Sequence, residues 1–225
     1  MERFDGIAVL FDLDGTLVDT APDLAGAMNA VLAGAGRPTL PVDEVRHLVG
    51  RGARALIERG FEATGAPVEE DATPALIAQF LDHYREHIAD ASALYPCAGE
   101  TLDALIADGA RLATCTNKPE GLARLLLHRL GVFEKFEAIV GGDSLPVRKP
   151  DPGPLKECVV RLGTKGGAVM VGDSTADSEA ARAFGCPFVW AAFGYADAAP
   201  EVLAPDATAR SFLQIPDTIR EALGG

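Results

Sequence analysis

The sequence predicts an α/β protein: a doubly wound parallel sheet with a small all-helical segment inserted after the first strand. Three observations predict it. An apolar run, Ile7-Ala8-Val9-Leu10-Phe11, stops abruptly at Asp12-Leu13-Asp14-Gly15-Thr16. From Pro22 to Ala93 apolar residues recur at helical spacing and no strand pattern interrupts them. From Pro96 onward, short apolar runs alternate with helical segments. A continuous apolar run bounded by turn residues reads as a strand buried on both faces, as parallel sheets require. Strands alternating with helices imply right-handed crossovers and helices covering both faces.

Within the helical stretch, Leu24, Met28, Val31 and Leu32 share a face of a helix that begins near Pro22 and closes at Gly34–Gly36. A short helix is expected over Val42–Val49. A third, over Ala53–Ala63, carries Leu56, Ile57 and Phe61 on one side. A fourth, over Pro74–Ala93, carries Leu76, Phe80, Leu81, Tyr84 and Ile88. The later region reads as helix Gly99–Asp108, strand Arg111–Thr116, helix Glu120–Leu130 and strand Ala138–Val140. A proline-punctuated loop then enters a helix ending near Leu162, followed by strand Ala168–Val171, helix Ser178–Phe184, strand Phe188–Trp190 and helix Gln214–Leu223. The expected division is a core from 1–17 and 95–225, with residues 18–94 as the inserted unit.

Composition sets outer limits. The 225 residues suffice for a full core, and 48% hydrophobic with 24% charged residues is ordinary for a globular protein. No apolar run approaches the roughly 20 residues that span a bilayer, and the two aspartates interrupt any leader-like run at the start. No membrane association and a cytoplasmic location are therefore expected. Cys97, Cys115, Cys158 and Cys186 are scattered without a C-x-x-C pair, so structural roles are expected for all four. The net charge of −13 argues against nucleic acid as a partner. It also means that an anionic substrate would need local positive charge to overcome the overall field.

The polar clusters fall at expected strand ends or in the loops nearby: Asp12 and Asp14, Thr116 and Asn117, Lys149, and Asp173 with Asp177. In a parallel sheet these ends share one edge, where ligands of open α/β sheets bind. Singly, each cluster has an ordinary explanation as a turn, a helix cap or a solvated loop. Their joint occurrence in this order does not. Two neighbouring buried carboxylates call for a cation or a proton. Gly50-Arg51-Gly52, at a helix start, offers backbone N–H groups beside a guanidinium; read locally, it is equally an anion-binding element or a plain interhelical turn.

As a set, Asp12-Leu13-Asp14-Gly15-Thr16, Thr116-Asn117, Lys149-Pro150 and Gly172-Asp173-Ser174-x-x-Asp177 resemble the haloacid dehalogenase-like superfamily of phosphotransferases, over essentially the whole chain. The resemblance implies a Rossmann-like core with a helical cap. It implies Asp12 as nucleophile, Asp14 as proton carrier and Lys149 as charge neutraliser. Thr116, Asn117 and Lys149 would hold phosphate, and Mg²⁺ would be bound by Asp12, the Asp14 backbone carbonyl and Asp173, with Asp177 as a supporting group. The chemistry agrees: a carboxylate attacking phosphorus splits one displacement into two easier steps, and one nearby carboxyl can serve both as acid and as base.

The second carboxylate, Asp14, separates the chain from the dehalogenases, which attack carbon. Thr16 and the absence of a histidine shortly after Asp14 disfavour sugar phosphomutases. Phe11–Asp23, Leu48–Leu56, Thr116–Glu120 and Val140–Pro152 most resemble the superfamily's bacterial phosphoglycolate phosphatases. A small phosphorylated metabolite is then the implied partner, and Gly50, Arg51 and Gly52 fall where such caps present a substrate-selecting loop. The resemblance leaves monomer and homodimer equally open. Arg51 could face a substrate carboxylate, and the residues near Gly15, Thr20 and Tyr95–Gly99 could hinge the cap. A broader sugar-phosphate phosphatase or a pyrophosphatase remains the alternative, with a non-enzymatic phosphoacceptor domain more remote.

Overall fold

The computed structural model describes residues 4–224; residues 1–3 and 225 of the expected core lie outside them. Strand β1 (Ala8–Phe11) is buried along its whole length. Successive side chains of a strand point to opposite faces, and here both faces are dry. Val9 and Phe11 join one apolar cluster and Ala8 and Leu10 join the other. Each such Val, Leu or Phe contributes about 1.5–3 kcal/mol on full burial, which is why the run is continuous rather than alternating.

The chain then leaves the sheet. Strand β2 (Val18–Asp19) pairs antiparallel with β3 (Ala93–Leu94), closing a two-stranded ribbon. Between them lie α1 (Ala21–Gly34), α2 (Val42–Arg46), α3 (Ala53–Ala63) and α4 (Thr73–Glu86). Met28, Leu32, Ile57, Phe61, Phe80 and Tyr84 are buried together at the centre of this helical cap, on the helical spacing read from the sequence. Pro22 and Pro74 sit in first turns, where a missing N–H costs nothing.

Two expectations overshoot, and β2 and β3 are strands where none was expected. Helix α2 ends at Arg46, because the chain must turn into the Gly50–Gly52 loop. Helix α4 ends at Glu86 rather than Ala93. The reason is Asp23 of α1, a buried carboxylate. Its Oδ1 accepts a hydrogen bond from the Ala91 N–H (3.0 Å), and its Oδ2 accepts from the Ser92 N–H (2.8 Å) and Ser92 Oγ (2.6 Å). These bonds take the backbone out of helix and aim it at β3.

The remaining elements are α5 (Ala98–Ala107), β4 (Arg111–Cys115), α6 (Glu120–Arg129), β5 (Ala138–Val140), α7 (Gly153–Leu162), β6 (Ala168–Gly172), α8 (Thr175–Phe184), β7 (Phe188–Ala191), α9 (Pro200–Leu203), β8 (Ala207–Ala209) and α10 (Ile215–Ala222). The main sheet has six strands in the order β5-β4-β1-β6-β7-β8, all pairs parallel. Leu102, Leu126 and Ile219 bring α5, α6 and α10 onto one face. Leu155, Cys158 and Ala181 bring α7 and α8 onto the other. No pattern in the sequence announced β8 or α9; Ala207-Thr208-Ala209 has no apolar run to mark it. The four cysteines are unpaired. No described helix is long and apolar enough to cross a membrane.

The strand order reverses beside β1, and open sheets bind ligands at such a switch point. Asp12, Thr116 and Asp173 all stand just past, or immediately after, the ends of the three central strands β1, β4 and β6.

Asp23→Ala would strand three donors that tie the end of the helical segment, at Ala91 and Ser92, to α1. Hydrogen bonds to charged groups are worth more than neutral ones, so a loss of about 3 kcal/mol is expected in urea denaturation.

Candidate active site

The site is built from turns that follow strands. After Phe11 the backbone folds over tightly: Leu17 N–H and Val18 N–H both donate to Leu13 O at 3.0 Å, and Gly15 N–H donates to Val18 O at 2.9 Å. This turn points Asp12 and Asp14 away from the sheet. Gly15 is required here twice over. Its φ of +83° is in the left-handed region, and an added Cβ would lie 2.5 Å from Asp173 Oδ2 and 2.7 Å from Tyr195 Cδ2.

Asp12, Asp173 and Asp177 form a buried acidic cluster, each offering a carboxylate oxygen within 4.8 Å of the others. Lys149 Nζ lies 3.0 Å from Asp12 Oδ1 and 2.6 Å from Asp177 Oδ1. Asp177 is further held by the α8 cap, where Ser174 N–H (3.0 Å) and Ser174 Oγ (2.7 Å) donate to its Oδ2. Asp173 accepts from Thr16 Oγ1 at 2.7 Å and from Tyr195 N–H at 2.9 Å. Asp12 Oδ1 also accepts the Leu13 N–H at 2.7 Å.

Three buried carboxylates facing one ammonium leave uncompensated negative charge. Burial, opposed by Lys149 and aided by Asp177 and Asp14, pushes the Asp12 carboxyl up to about 7. Burial, then the Asp177 and Asp12 charges, drives Asp173 well above the carboxylate range. Burial works against the charge on Lys149, but Asp12 and Asp177 outweigh it and hold the ammonium above its ordinary value. An all-oxygen donor set carrying excess negative charge is the environment a hard divalent cation occupies. The residues present fit one.

Asp14 stands apart from this cluster. Its Oδ1 accepts from Thr20 Oγ1 at 2.7 Å and pairs with Lys118 Nζ at 2.9 Å. Asp12 and Asp14 open on one cavity, together with Thr116, Asn117 and Lys118 from the turn after β4 and with Gly50, Gly52, Phe80 and Tyr84 from the cap. The space open to water centres is about 40 Å³, room for roughly three waters. Asn117 Nδ2 donates to Gly50 O (3.1 Å) and Lys149 O (3.0 Å), tying the cap loop to the core. The Asn117 side chain is thus committed to this bridge.

Arg51 is placed elsewhere. It is exposed, its guanidinium reaches Thr175 Oγ1 at 3.4 Å, and it lines a second cavity with Arg54 and Arg148 rather than the one holding Asp12. Gly50 and Gly52 both take positive φ, +115° and +86°, and carry the chain through the turn on either side of Arg51. Lys149 also lines that second cavity.

Sequence reasoning missed Lys118, Tyr84, Thr16, Thr20 and Tyr195. Lys118 carried a usable signal, a cation directly after Thr116-Asn117 at a strand end. Tyr84 and Tyr195 carried none, because their partners lie far away in the chain.

The chain belongs to the haloacid dehalogenase-like hydrolases, whose family model matches residues 9–191. Among its relatives, a phosphoglycolate phosphatase of Caulobacter vibrioides is 47% identical over 96% of this chain and 92% of its own. One of Rhodospirillum rubrum is 45% identical over 84% and 80%. A crystal structure described as a "predicted phosphoglycolate phosphatase" from Haemophilus somnus superposes with a TM-score of 0.86 at 34% identity, covering 93% of this chain and 96% of that one.

Gly15→Ala should destabilise the fold by about 2 kcal/mol and weaken Mg²⁺ binding, because the new methyl collides with Asp173. Thermal melts with and without Mg²⁺ would show a lower melting temperature and a smaller shift on adding the ion.

Proposed function

We propose that the chain is a Mg²⁺-dependent phosphatase that hydrolyses 2-phosphoglycolate to glycolate and phosphate through a phospho-aspartyl intermediate on Asp12. The observation that carries this is the charge arrangement at the sheet edge. One carboxylate, Asp12, lies within the cation-binding cluster, and a second, Asp14, lies outside it on the same cavity. Relatives named phosphoglycolate phosphatase, aligned over nearly the full chain, support the substrate.

In this reading Asp12 attacks phosphorus and the bond from phosphorus to the ester oxygen breaks. Asp14, held by Thr20 and Lys118, gives its proton to the departing alkoxide. It then takes a proton from the water that attacks the phospho-aspartate, which releases phosphate and restores Asp12. Thr116 and the Asn117 N–H hold phosphate oxygens, and Lys149 balances the charge of the transferring group. Asp12, Asp173 and the Asp14 carbonyl would hold Mg²⁺, with Asp177 keeping Lys149 in place. The bound ion supplies the positive charge that lets an anionic carboxylate approach an anionic phosphate. The site would operate with the cap closed, excluding water from the chemistry. The cap, residues 18–94 in this reading, would swing away for substrate to enter, with Gly15 and the Thr20 and Tyr95–Gly99 connections as the hinge.

Asp12→Asn should abolish turnover of 2-phosphoglycolate while leaving the circular dichroism spectrum unchanged; retained activity would remove Asp12 as nucleophile. A side-by-side panel of 2-phosphoglycolate, sugar phosphates and pyrophosphate, with Mg²⁺ or chelator, tests the substrate and the ion together. Faster turnover of a sugar phosphate or of pyrophosphate would overturn the substrate.

The ion also has a pH signature. With Asp12 raised to about 7, the cation-free folded state keeps a proton that the unfolded chain releases near pH 4. Folded-state stability from this group is therefore highest at low pH and declines as pH rises toward about 7. Mg²⁺ and the proton compete for the same carboxylate. The rise in melting temperature on adding Mg²⁺ should be larger at about pH 8 than at about pH 5.5, and equal shifts would contradict this account of Asp12.

A further inference from the structure

An anionic substrate entering a chain of net charge −13 must meet positive charge inside the cavity. Lys149 is not free to provide it beyond the phosphate, since Asp12 and Asp177 already share it. Arg51 lies outside. Among the described residues lining the cavity, Lys118 is the one cation. It is only 6% exposed and is surrounded by apolar walls from Leu24, Val49, Leu56 and Phe80.

The partners of Lys118 leave it incomplete. Its Nζ pairs with Asp14 Oδ1 at 2.9 Å and donates to Tyr84 Oη at 3.1 Å, and it sits 4.4 Å from the centre of the Tyr84 ring. An ammonium has three donors, so one remains. Tyr84 is 1% exposed. Its hydroxyl oxygen accepts from Lys118, yet among the described residues its own hydrogen has no acceptor. A buried hydroxyl without an acceptor costs stability unless a ligand supplies one. Two unspent donors, one cationic, thus border the same cavity.

We propose that Lys118 and Tyr84 together form the subsite for the substrate's second anionic group, a carboxylate attached next to the phosphate ester. This rests on the phosphatase reading above and specifies how the carboxylated substrate would be selected. Position favours it. Asp14 protonates the departing ester oxygen, and in a phosphorylated 2-hydroxy acid the carboxylate carbon is two bonds from that oxygen. A cation touching Asp14 therefore stands within reach of the carboxylate of such a substrate. The two carboxylate oxygens accept one bond each, from the ammonium and from the phenol. The subsite is also shared between units: Lys118 comes from the turn after β4 and Tyr84 from α4 of the cap. The second anionic group is read only when the cap is in place.

A positioning role for Lys118, acting only through Asp14, makes a different prediction, and the experiment separates the two. The kcat/KM of the wild type, Lys118→Met and Tyr84→Phe would be measured on 2-phosphoglycolate and on its neutral carboxamide, the phosphate ester of glycolamide. A hydrogen bond to a charged group is worth about 1.5–3 kcal/mol, roughly 10- to 100-fold. Lys118→Met should lower kcat/KM on phosphoglycolate by about that factor more than on the carboxamide, and Tyr84→Phe should do the same to a lesser degree, chiefly through KM. Equal losses on both substrates would overturn the proposal and leave Lys118 as a support for Asp14. If Lys118→Met fails to fold, Tyr84→Phe decides by the same ratio. A wild type that hydrolyses both esters equally well would refute carboxylate recognition but not phosphatase activity. A wild type that hydrolyses neither would refute the phosphatase reading itself, and the subsite with it.

Discussion

Everything at the edge of this sheet follows from the cost of burying carboxylates. Asp12, Asp173 and Asp177 are at most 4% exposed, and an ionised carboxylate in such a place is tolerable only with compensating charge and donors. The chain supplies them in fixed proportions. Lys149 serves Asp12 and Asp177, Lys118 serves Asp14, and hydroxyls and backbone N–H groups fill the remaining sites. The balance stays negative at the Asp12 cluster, which makes it a place for a cation. It is nearer neutral at Asp14, where Lys118 offsets the carboxylate. Two carboxylates separated by one residue thus acquire different surroundings.

That distribution draws the cap into the site. Lys118 donates to Tyr84, and Asn117 to the carbonyl of Gly50. Both partners come from the helical insertion, and both are met by the turn after β4. The insertion therefore contributes to the electrostatic solution as well as forming a lid. Its helices could in principle pack on one another anywhere. Polar bonds from Asn117 and Lys118 give them one seating over the strand ends.

The parts of this arrangement that were legible in the sequence are those governed by local rules. β1 was readable because a strand dry on both faces must be apolar throughout. Helix α3 matched its expected bounds, Ala53–Ala63, because a glycine with positive φ opens it and a regular apolar face, Leu56, Ile57 and Phe61, runs through it. Asp12, Thr116 and Asp173 were readable as strand-end polar residues, and Lys149 as a polar residue in the loop after β5, in sequence order. The parts that were not legible depend on distant partners. Helix α4 was drawn too long because Asp23, 68 residues before Ala91, captures the N–H groups that would have continued it. The ribbon of β2 and β3 is two residues per strand, below any periodicity. The side taken by Arg51 was not legible because a Gly-x-Gly loop does not reveal where its single side chain points. The pairing of Lys118 with Tyr84 spans 34 residues and two structural units, and neither residue type announces the other.

Tyr195 shows how tightly the acidic cluster and the cap entrance are joined. Its backbone N–H donates to Asp173, while its hydroxyl accepts the N–H groups of Thr20 and Ala21 at 2.7 and 2.8 Å and donates to Asp19 Oδ1 at 2.7 Å. The first N–H groups of a helix have no intrahelical acceptor, and no side-chain cap serves α1 at Thr20. A phenol from the far side of the sheet does that work instead. Thr16 completes the link, donating to the other oxygen of Asp173 from inside the turn that carries Asp14. The residues that fix the carboxylate of Asp173 are thus the same ones that fix where the chain departs for the cap. The first helix of the cap inserted at this turn is registered to the acidic cluster by hydrogen bonds of ordinary length.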